Sequence, residues 1–189
     1  MKRSRRPVAQ ATVERNSQNV DAAVKTLLAA APDAIIQVSV YKSCAAFIRS
    51  ARKAGYGGTF YNLSGVGTQA LVDELGRDGA GVVVTQVVPS PYTATRAITR
   101  EFGEAAKKTN GAVQVNFSSM EGYLAAKLAT EGLRRAGGKS VTREGLIAGI
   151  ESIGRQSFGG FDVHMSPSLH VASQFVELSM LTGDGRVRT

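Results

Sequence analysis

Between Ala34 and Ala70 the sequence switches twice from a short β-branched run to helical spacing, and no other feature restricts the fold as much. Ala34-Ile35-Ile36-Gln37-Val38-Ser39-Val40 forms the first run. Tyr41-Lys42-Ser43 then opens a segment whose apolar residues Cys44, Phe47, Ile48 and Ala51 recur with helical period. Gly55 to Gly58 breaks it, and Thr59-Phe60-Tyr61-Asn62-Leu63 is the second run, ending at Ser64-Gly65-Val66-Gly67. A buried parallel strand reads as a continuous β-branched run, a crossover helix as a 3.6-residue period, and small residues mark the changeovers. The stretch is therefore strand, helix, strand, helix start. Ligands of open α/β sheets sit outside the carboxyl ends of the strands, which places Ser39, Val40, Tyr41, Ser64 and Gly65 at the expected site.

Upstream, Thr12 to Arg15 reads as the tail of a strand. Asn19 or Asp21 is placed to cap a helix carrying Val20, Val24, Leu27 and Leu28 on one face, and Pro32-Asp33 ends it. Downstream, Thr68 to Leu75 is a short helix and Gly76 to Gly81 a loop. Gly81 to Val88 is the strongest strand in the chain, and Pro89-Ser90-Pro91 stops it and reads as a linker. Three helical patterns follow without clear intervening strands: Thr95 to Lys108, Ser118 to Ala136 and Thr142 to Ile153, with Gly137-Gly138 closing the second. The end is β. Phe161 to Met165, a Ser-Pro-Ser turn, Val171 to Leu181 and a Gly183-Asp184-Gly185 turn predict a hairpin.

With 189 residues, 43% hydrophobic and 20% charged, the chain has enough material for one ordinary core or two small ones. The net charge of +8 suggests nucleic acid until it is located: Lys2, Arg3, Arg5 and Arg6 supply four positive charges at one end, half of that net value. Aromatic residues make up 6% and none is interleaved with those arginines, so base stacking has no platform; residues 1–12 read as a basic, disordered tail and no nucleic-acid partner is expected. Cys44, the single cysteine, reads as a small buried hydrophobe and leaves the redox compartment open. Pro7-Val8-Ala9-Gln10-Ala11-Thr12 is too short and too polar for a signal-peptide core, so an exported form of this chain would carry its signal upstream.

Motifs with chemistry are few. Gly65-Val66-Gly67-Thr68-Gln69-Ala70 fits the dinucleotide pattern between a strand and a helix, but the next strand ends in Val87-Val88-Pro89, where an acid for the ribose hydroxyls is needed. A backbone turn is the better reading. There is no G-x-S-x-G elbow, no H-E-x-x-H and no Cys/His ligand spacing, so neither an enzyme, a cofactor nor a metal is expected. His164 and His170 flank a turn. Glu101 and Glu104 with Lys107 and Lys108 form a solvated ion-pair pattern. Ser118-Ser119-Met120-Glu121-Gly122-Tyr123 starts a helix with a cap, an acid in the first turn and an aromatic, and serves either as a capping arrangement or as a ligand contact.

Several of these segments together carry a resemblance. Ala34 to Gly55, the Ser64-Gly65-Val66-Gly67 turn, Gly81 to Pro89, Glu121-Gly122-Tyr123-Leu124-Ala125-Ala126-Lys127 and Leu133-Arg134-Arg135-Ala136-Gly137 resemble, in order, the carboxyl-terminal half of a periplasmic substrate-binding protein. The family is the leucine/isoleucine/valine-binding type, which feeds ABC importers for branched-chain amino acids and related small carboxylates. The likeness runs from about Val13 to Val187. It implies an α/β, type I periplasmic-binding-protein-like fold: a parallel, three-layer Rossmann-like half-lobe at 13–88, a hinge crossing at 89–91, a helical portion of the other lobe at 92–170, and a return strand and tail at 171–189 with a carboxyl-terminal β-hairpin.

The resemblance also implies ligand capture without chemistry, in the periplasm, with ABC permease subunits as partners of the full-length protein. Ser39, Tyr41, Ser64 and Gly65 are then the contacts of one lobe, and Glu121 and Tyr123 those of the other. The family's amino-terminal half, with the residues that grip the ligand carboxylate, has no counterpart here. That predicts a form unable to bind alone, whose helices at 92–153 leave apolar faces open for a homodimer or swapped assembly, or lower solubility. Members selective for α-amino acids often carry an acid at the position of Ser64. A neutral serine makes a non-amino carboxylate, such as an aromatic or dicarboxylic acid, an alternative to an amino acid. An effector-sensing domain of a cytosolic transcription regulator with the same fold is a second reading, and a Rossmann-type nucleotide-dependent enzyme a third.

Overall fold

In the computed structural model both apolar runs of the 34–70 stretch are strands and both helical patterns are helices. Residues 6–137 and 142–189 are described; Lys2, Arg3 and Arg5 of the basic arm and Gly138 of the helix-closing pair lie outside them. The order of elements is α1 (Asp21–Leu28), β1 (Ala34–Gln37), α2 (Tyr41–Lys53), β2 (Thr59–Asn62), α3 (Thr68–Leu75), β3 (Val83–Gln86), α4 (Ala97–Lys107), α5 (Phe117–Arg135), α6 (Arg143–Glu151), β4 (Gly154–Phe158), β5 (Phe161–Met165), β6 (Glu177–Leu181) and β7 (Val187–Arg188). The chain divides into two units, one comprising the residues up to Thr85 with Leu178–Thr189, the other Gln86–Glu177.

The first unit is an α/β layer built on the sheet β1-β2-β3-β6-β7. β1 and β2 run parallel with Ile35 opposite Phe60, and β2 and β3 run parallel with Asn62 opposite Val84. Alternate residues of a strand face opposite sides. Ile35, Phe60, Val82, Val84 and Leu181 accordingly point into one core with Val24 of α1, Phe47 and Ile48 of α2 and Leu71 of α3. Fully burying one such aliphatic or aromatic side chain contributes about 1.5–3 kcal/mol, so this shared face holds the unit together. On the opposite face Ile36 is 72% exposed and Met180 49%, while Val83 is buried. β6 returns beside β3, where the Leu181 N–H donates to the Val82 carbonyl and the Ser179 hydroxyl to the Val84 carbonyl. β6 and β7 form the carboxyl-terminal hairpin, with Leu181 opposite Val187.

In the second unit α4, α5 and α6 accompany an antiparallel hairpin, β4–β5. Its turn, Gly159-Gly160, has φ of 58° and 90°, the left-handed region that a two-residue hairpin turn requires and that glycine adopts without steric cost. The Gly159 carbonyl accepts from the Ile98 N–H, and Arg96 donates to the Gly160 carbonyl, so the turn is pinned to the start of α4. Glu131, buried on α5, is held below its ordinary pKa by the Arg135 guanidinium and then by Arg134; Arg135 also donates to the Ser152 carbonyl and to Gln156, tying α5 to the segment after α6.

Several expectations change. Thr12 to Arg15 is not a strand, because nothing among the described residues pairs with it. Neither Asn19 nor Asp21 caps α1: Val20 occupies the cap position without a side-chain bond, since its side chain is drawn into the core. The cap of α5 is Asn116, whose side chain accepts from the Ser119 N–H while the Ser119 hydroxyl accepts from the Asn116 N–H; Glu121 therefore lies beyond the first turn. β3 is shorter than 81–88, and Val88, Pro89, Ser90 and Pro91 are buried. β4 fell outside the expectation because its polar residues Arg155, Gln156 and Ser157 give no apolar period. Residues 171–176 form no strand. The apolar faces of α4 and α5 are largely covered within the unit, where Ile98, Phe102, Met120, Leu124, Phe158 and Phe161 are buried; Leu133 and Ile147 stay exposed.

Candidate functional site

The carboxyl ends of β1 and β2 lie side by side in the parallel sheet, and the loops leaving them border a groove of about 560 Å³. Ser39 follows β1 and Ser64 opens a 3-10 turn, Ser64–Val66, directly after β2. Gly67, with φ of 79°, reverses the backbone from that turn into α3, which explains the spacing of the Gly65-Val66-Gly67 signature without a nucleotide. Val38, Val40, Leu63 and Val66 give the groove apolar walls, and Ser39, Ser64 and Gly65 line it together. Tyr41, the first residue of α2, is half-buried and packs against the core of the unit, with Lys42 over its ring, and is not part of the lining.

Two polar lining residues escaped the sequence reading, Arg15 and Asn16. They sit on a turn closed by the Ser17 N–H donating to the Glu14 carbonyl, with Asn16 at φ of 61°, a conformation asparagine tolerates. Arg15-Asn16-Ser17 is recognisable as a polar turn, but only the folded chain shows that the turn borders the ends of β1 and β2. Among the described residues the lining thus holds one guanidinium, Arg15, and no carboxylate.

Glu121 and Tyr123 belong to the second unit. Glu121 is exposed on α5. The Tyr123 hydroxyl donates to Glu101 Oε1 at 2.7 Å, and Lys127 Nζ donates to the same oxygen at 2.5 Å. Burial and then the Glu101 hydrogen bond push the Tyr123 phenol up to about 12, while Lys127 and then Tyr123 hold the Glu101 carboxyl below its ordinary value. Glu101 is therefore committed to α5 rather than to a surface pair on its own helix; Glu104 alone pairs with Lys107, at 2.7 Å. Tyr123 also packs on the Phe102 ring, with centroids 5.4 Å apart. The hydroxyl expected to reach a ligand is thus engaged in a cross-helix network. His170 accompanies Glu151 at 2.9 Å. A second groove, about 540 Å³, lies along β4–β5 with Arg155, Asp162 and His164, whose charges are of both signs. Among the described residues no group of His, Cys, Asp and Glu is placed to hold a metal ion, and no helix is long and apolar enough to cross a membrane.

The family model described as periplasmic binding protein matches residues 4–185. Among solved structures, a possible leucine/isoleucine/valine-binding protein from Rhodopirellula baltica SH 1 is 28% identical, with a TM-score of 0.86 over 93% of this chain and 48% of that one. A substrate-binding periplasmic protein from Ralstonia solanacearum is 31% identical, with a TM-score of 0.81 over 92% and 50%. A fatty acid ABC transporter substrate-binding protein from Thermomonospora curvata shares the fold at 19% identity, with a TM-score of 0.74 over 89% and 45%. The chain spans about half the length of these structures. No curated protein matches it.

Proposed function

The chain belongs to the periplasmic binding protein family, with the type I fold of that family, and from that premise we propose that it serves in the capture of a small carboxylate for an ABC importer. The observation that carries the reading is the composition of the groove. Among the described residues Arg15 supplies its only charge, Ser39 and Ser64 supply hydroxyls, and Val38, Val40, Leu63 and Val66 supply apolar wall. A guanidinium binds a carboxylate through charge-assisted hydrogen bonds, and the apolar wall takes the body of the ligand. No acid among the described residues lines the groove to hold an ammonium. The proposed ligand is accordingly an aromatic or aliphatic acid without an α-amino group, in keeping with the fatty acid carrier among the similar structures. The branched-chain amino acids in the relatives' names are the second reading. In this proposal the permease is the partner, the compartment is the periplasm and the protein performs no chemistry. Residues 13–88 with the return strand belong to one lobe and 92–170 to the other.

Contacts from one wall forfeit much of the desolvation that makes a pocket tight, so affinity of the chain by itself is expected to be weak. The test is a titration of isotope-labelled chain with phenylacetate and with leucine, followed by backbone amide shifts. Phenylacetate should move Ser39, Ser64 and Gly65, and Arg15→Gln should weaken its binding about tenfold, the worth of a charged hydrogen bond of roughly 1.5–3 kcal/mol. Undisturbed groove amides, or a response to leucine stronger than to phenylacetate, would refute the reading.

A further inference from the structure

The β4–β5 hairpin of the second unit has a buried face and a charged one, as the alternation of side chains along a strand requires. Phe158, Phe161, Val163 and Met165 are buried on the first. The residues between them take the second: Arg155 stands opposite His164, and Ser157 opposite Asp162. Segment 169–174 returns alongside β5, where the His164 N–H donates to the Ala172 carbonyl and the Ser166 N–H to the Leu169 carbonyl. The hairpin and this segment border the groove of about 540 Å³, in which Leu169 and Val171 add apolar surface to the charged face. Small-molecule sites commonly enclose about 300–1,000 Å³.

Several charges of this unit are paired within it. Glu131 holds Arg134 and Arg135, Glu101 holds Lys127, and Glu151 accompanies His170. Arg155, Asp162 and His164 share a groove without such partners: among the described residues none of the three side chains has a hydrogen bond or an ion pair. Directly opposite residues of an antiparallel pair have Cβ atoms about 4.5–5.5 Å apart, and diagonal neighbours about 7–8 Å. Arg155 and His164 therefore present their donors side by side, the guanidinium as a fork and the imidazole through a ring N–H. Asp162 lies one diagonal step from Arg155, and the two form no ion pair. An anion held by Arg155 and His164 thus has a carboxylate within one small molecule's length of it. Asp162 repels a simple anion there and favours one that carries its own ammonium group. Two donors side by side match a phosphate monoester, which brings three acceptor oxygens and a charge of about −1.5 to −2 at pH 7.

We propose that the groove along β4–β5 binds a small phosphate monoester bearing an ammonium group, of the phosphoethanolamine type. Arg155 and His164 hold the phosphate, Asp162 holds the ammonium, and Leu169 and Val171 border the carbon chain. The site lies wholly in the second unit and shares no residue with the groove at the ends of β1 and β2, so it is separate from the proposed carboxylate site.

The test is a titration of isotope-labelled chain with O-phosphoethanolamine, inorganic phosphate and ethanolamine, followed by backbone amide shifts. Phenylacetate is absent throughout, so failure here leaves the carboxylate reading untouched. Phosphoethanolamine should move the amides of residues 155–157 and 162–164 and bind at least tenfold more tightly than inorganic phosphate or ethanolamine, the worth of one further charged hydrogen bond. Arg155→Gln should weaken both phosphates about tenfold. Asp162→Asn should bring the ratio of the two phosphate affinities close to one, since the repulsion it relieves acts on both alike. Both side chains are exposed, so the variants should keep the circular dichroism of the parent chain. Arg188→Gln, which removes the same charge from an exposed position on β7, should change nothing. The proposal is overturned if phosphoethanolamine leaves these amides in place, if inorganic phosphate binds as tightly, or if Asp162→Asn keeps the preference intact. It is also overturned if vesicles of phosphatidylethanolamine sediment the chain while free phosphoethanolamine does not bind, which would assign the face to a membrane surface.

Discussion

The contact between α5 and α6 can be tested with three glycine substitutions that differ in nothing but what the new methyl group meets. A Cβ on Gly149 would lie 2.2 Å from the Gly132 carbonyl oxygen and 3.1 Å from the Ala136 nitrogen, all backbone. A carbon–oxygen approach of about 3.3 Å is already close, so the helices would have to separate by about 1 Å. Overpacking of this kind costs about 1–3 kcal/mol, and an obstacle made of backbone puts Gly149→Ala in the upper part of that range. The helix-propensity gain of alanine over glycine offsets about 1 kcal/mol, leaving a net loss of about 2. A methyl group on Gly122, also in α5, would have no heavy atom within 4 Å, so Gly122→Ala keeps the propensity gain and should stabilise by about 0.8–1 kcal/mol. Gly132→Ala falls between them, because the atom it meets at 2.4 Å is Ile150 Cγ1, a side-chain atom that a rotamer change can move, while the Ile150 backbone nitrogen and Cα lie at 3.3 and 3.4 Å. Urea unfolding followed by far-ultraviolet circular dichroism reads the series. With a slope of about 2 kcal/mol/M, the midpoints of Gly122→Ala and Gly149→Ala should differ by about 1.5 M at unchanged slope. Equal midpoints, or Gly149→Ala above Gly132→Ala, would refute the close helix contact.

Burial and Glu101 keep the Tyr123 phenol neutral up to about 12, so in an ultraviolet titration one of the five tyrosines should ionise last, and Glu101→Gln should bring it earlier. This raised folded value favours the neutral phenol; its contribution to stability is complete below pH 10 and is lost as pH rises through about 12. The Glu101 carboxyl behaves oppositely. Its folded value lies below 4.5, so its contribution is present above pH 4.5 and is lost as pH falls through the folded value, and Glu101→Gln should flatten stability against pH in that acid range. Burial pushes the Cys44 thiol up to about 11, so a disulfide reagent at pH 8 should react with it only when urea opens the unit; immediate full reaction in buffer would contradict the buried placement. Ser64→Glu in a protein carrying both lobes should raise the affinity ratio of leucine over a matched non-amino acid about tenfold, and an unchanged ratio would remove Ser64 from the site.

The local pattern from Ala34 to Ala70 determined its own secondary structure, because a β-branched run and a 3.6-residue period are properties of adjacent residues. The same pattern put Ser39, Ser64 and Gly65 together, since residues that follow parallel strands must emerge at one end of the sheet. The Gly159-Gly160 turn and the hairpin it closes went unread, because the polar strand before it carries no apolar period. What the sequence could not determine depends on partners distant in the chain. Arg15 reaches the groove because a turn of residues 14–17 borders strand ends more than twenty positions away. Tyr123 is withdrawn into a network because Glu101 stands across from it on another helix. Thr12 to Arg15 has the residues of a strand and is none, because a strand exists only by pairing and no strand among the described residues pairs with it. Periodicity assigns a residue to a face; only the tertiary fold decides what that face meets.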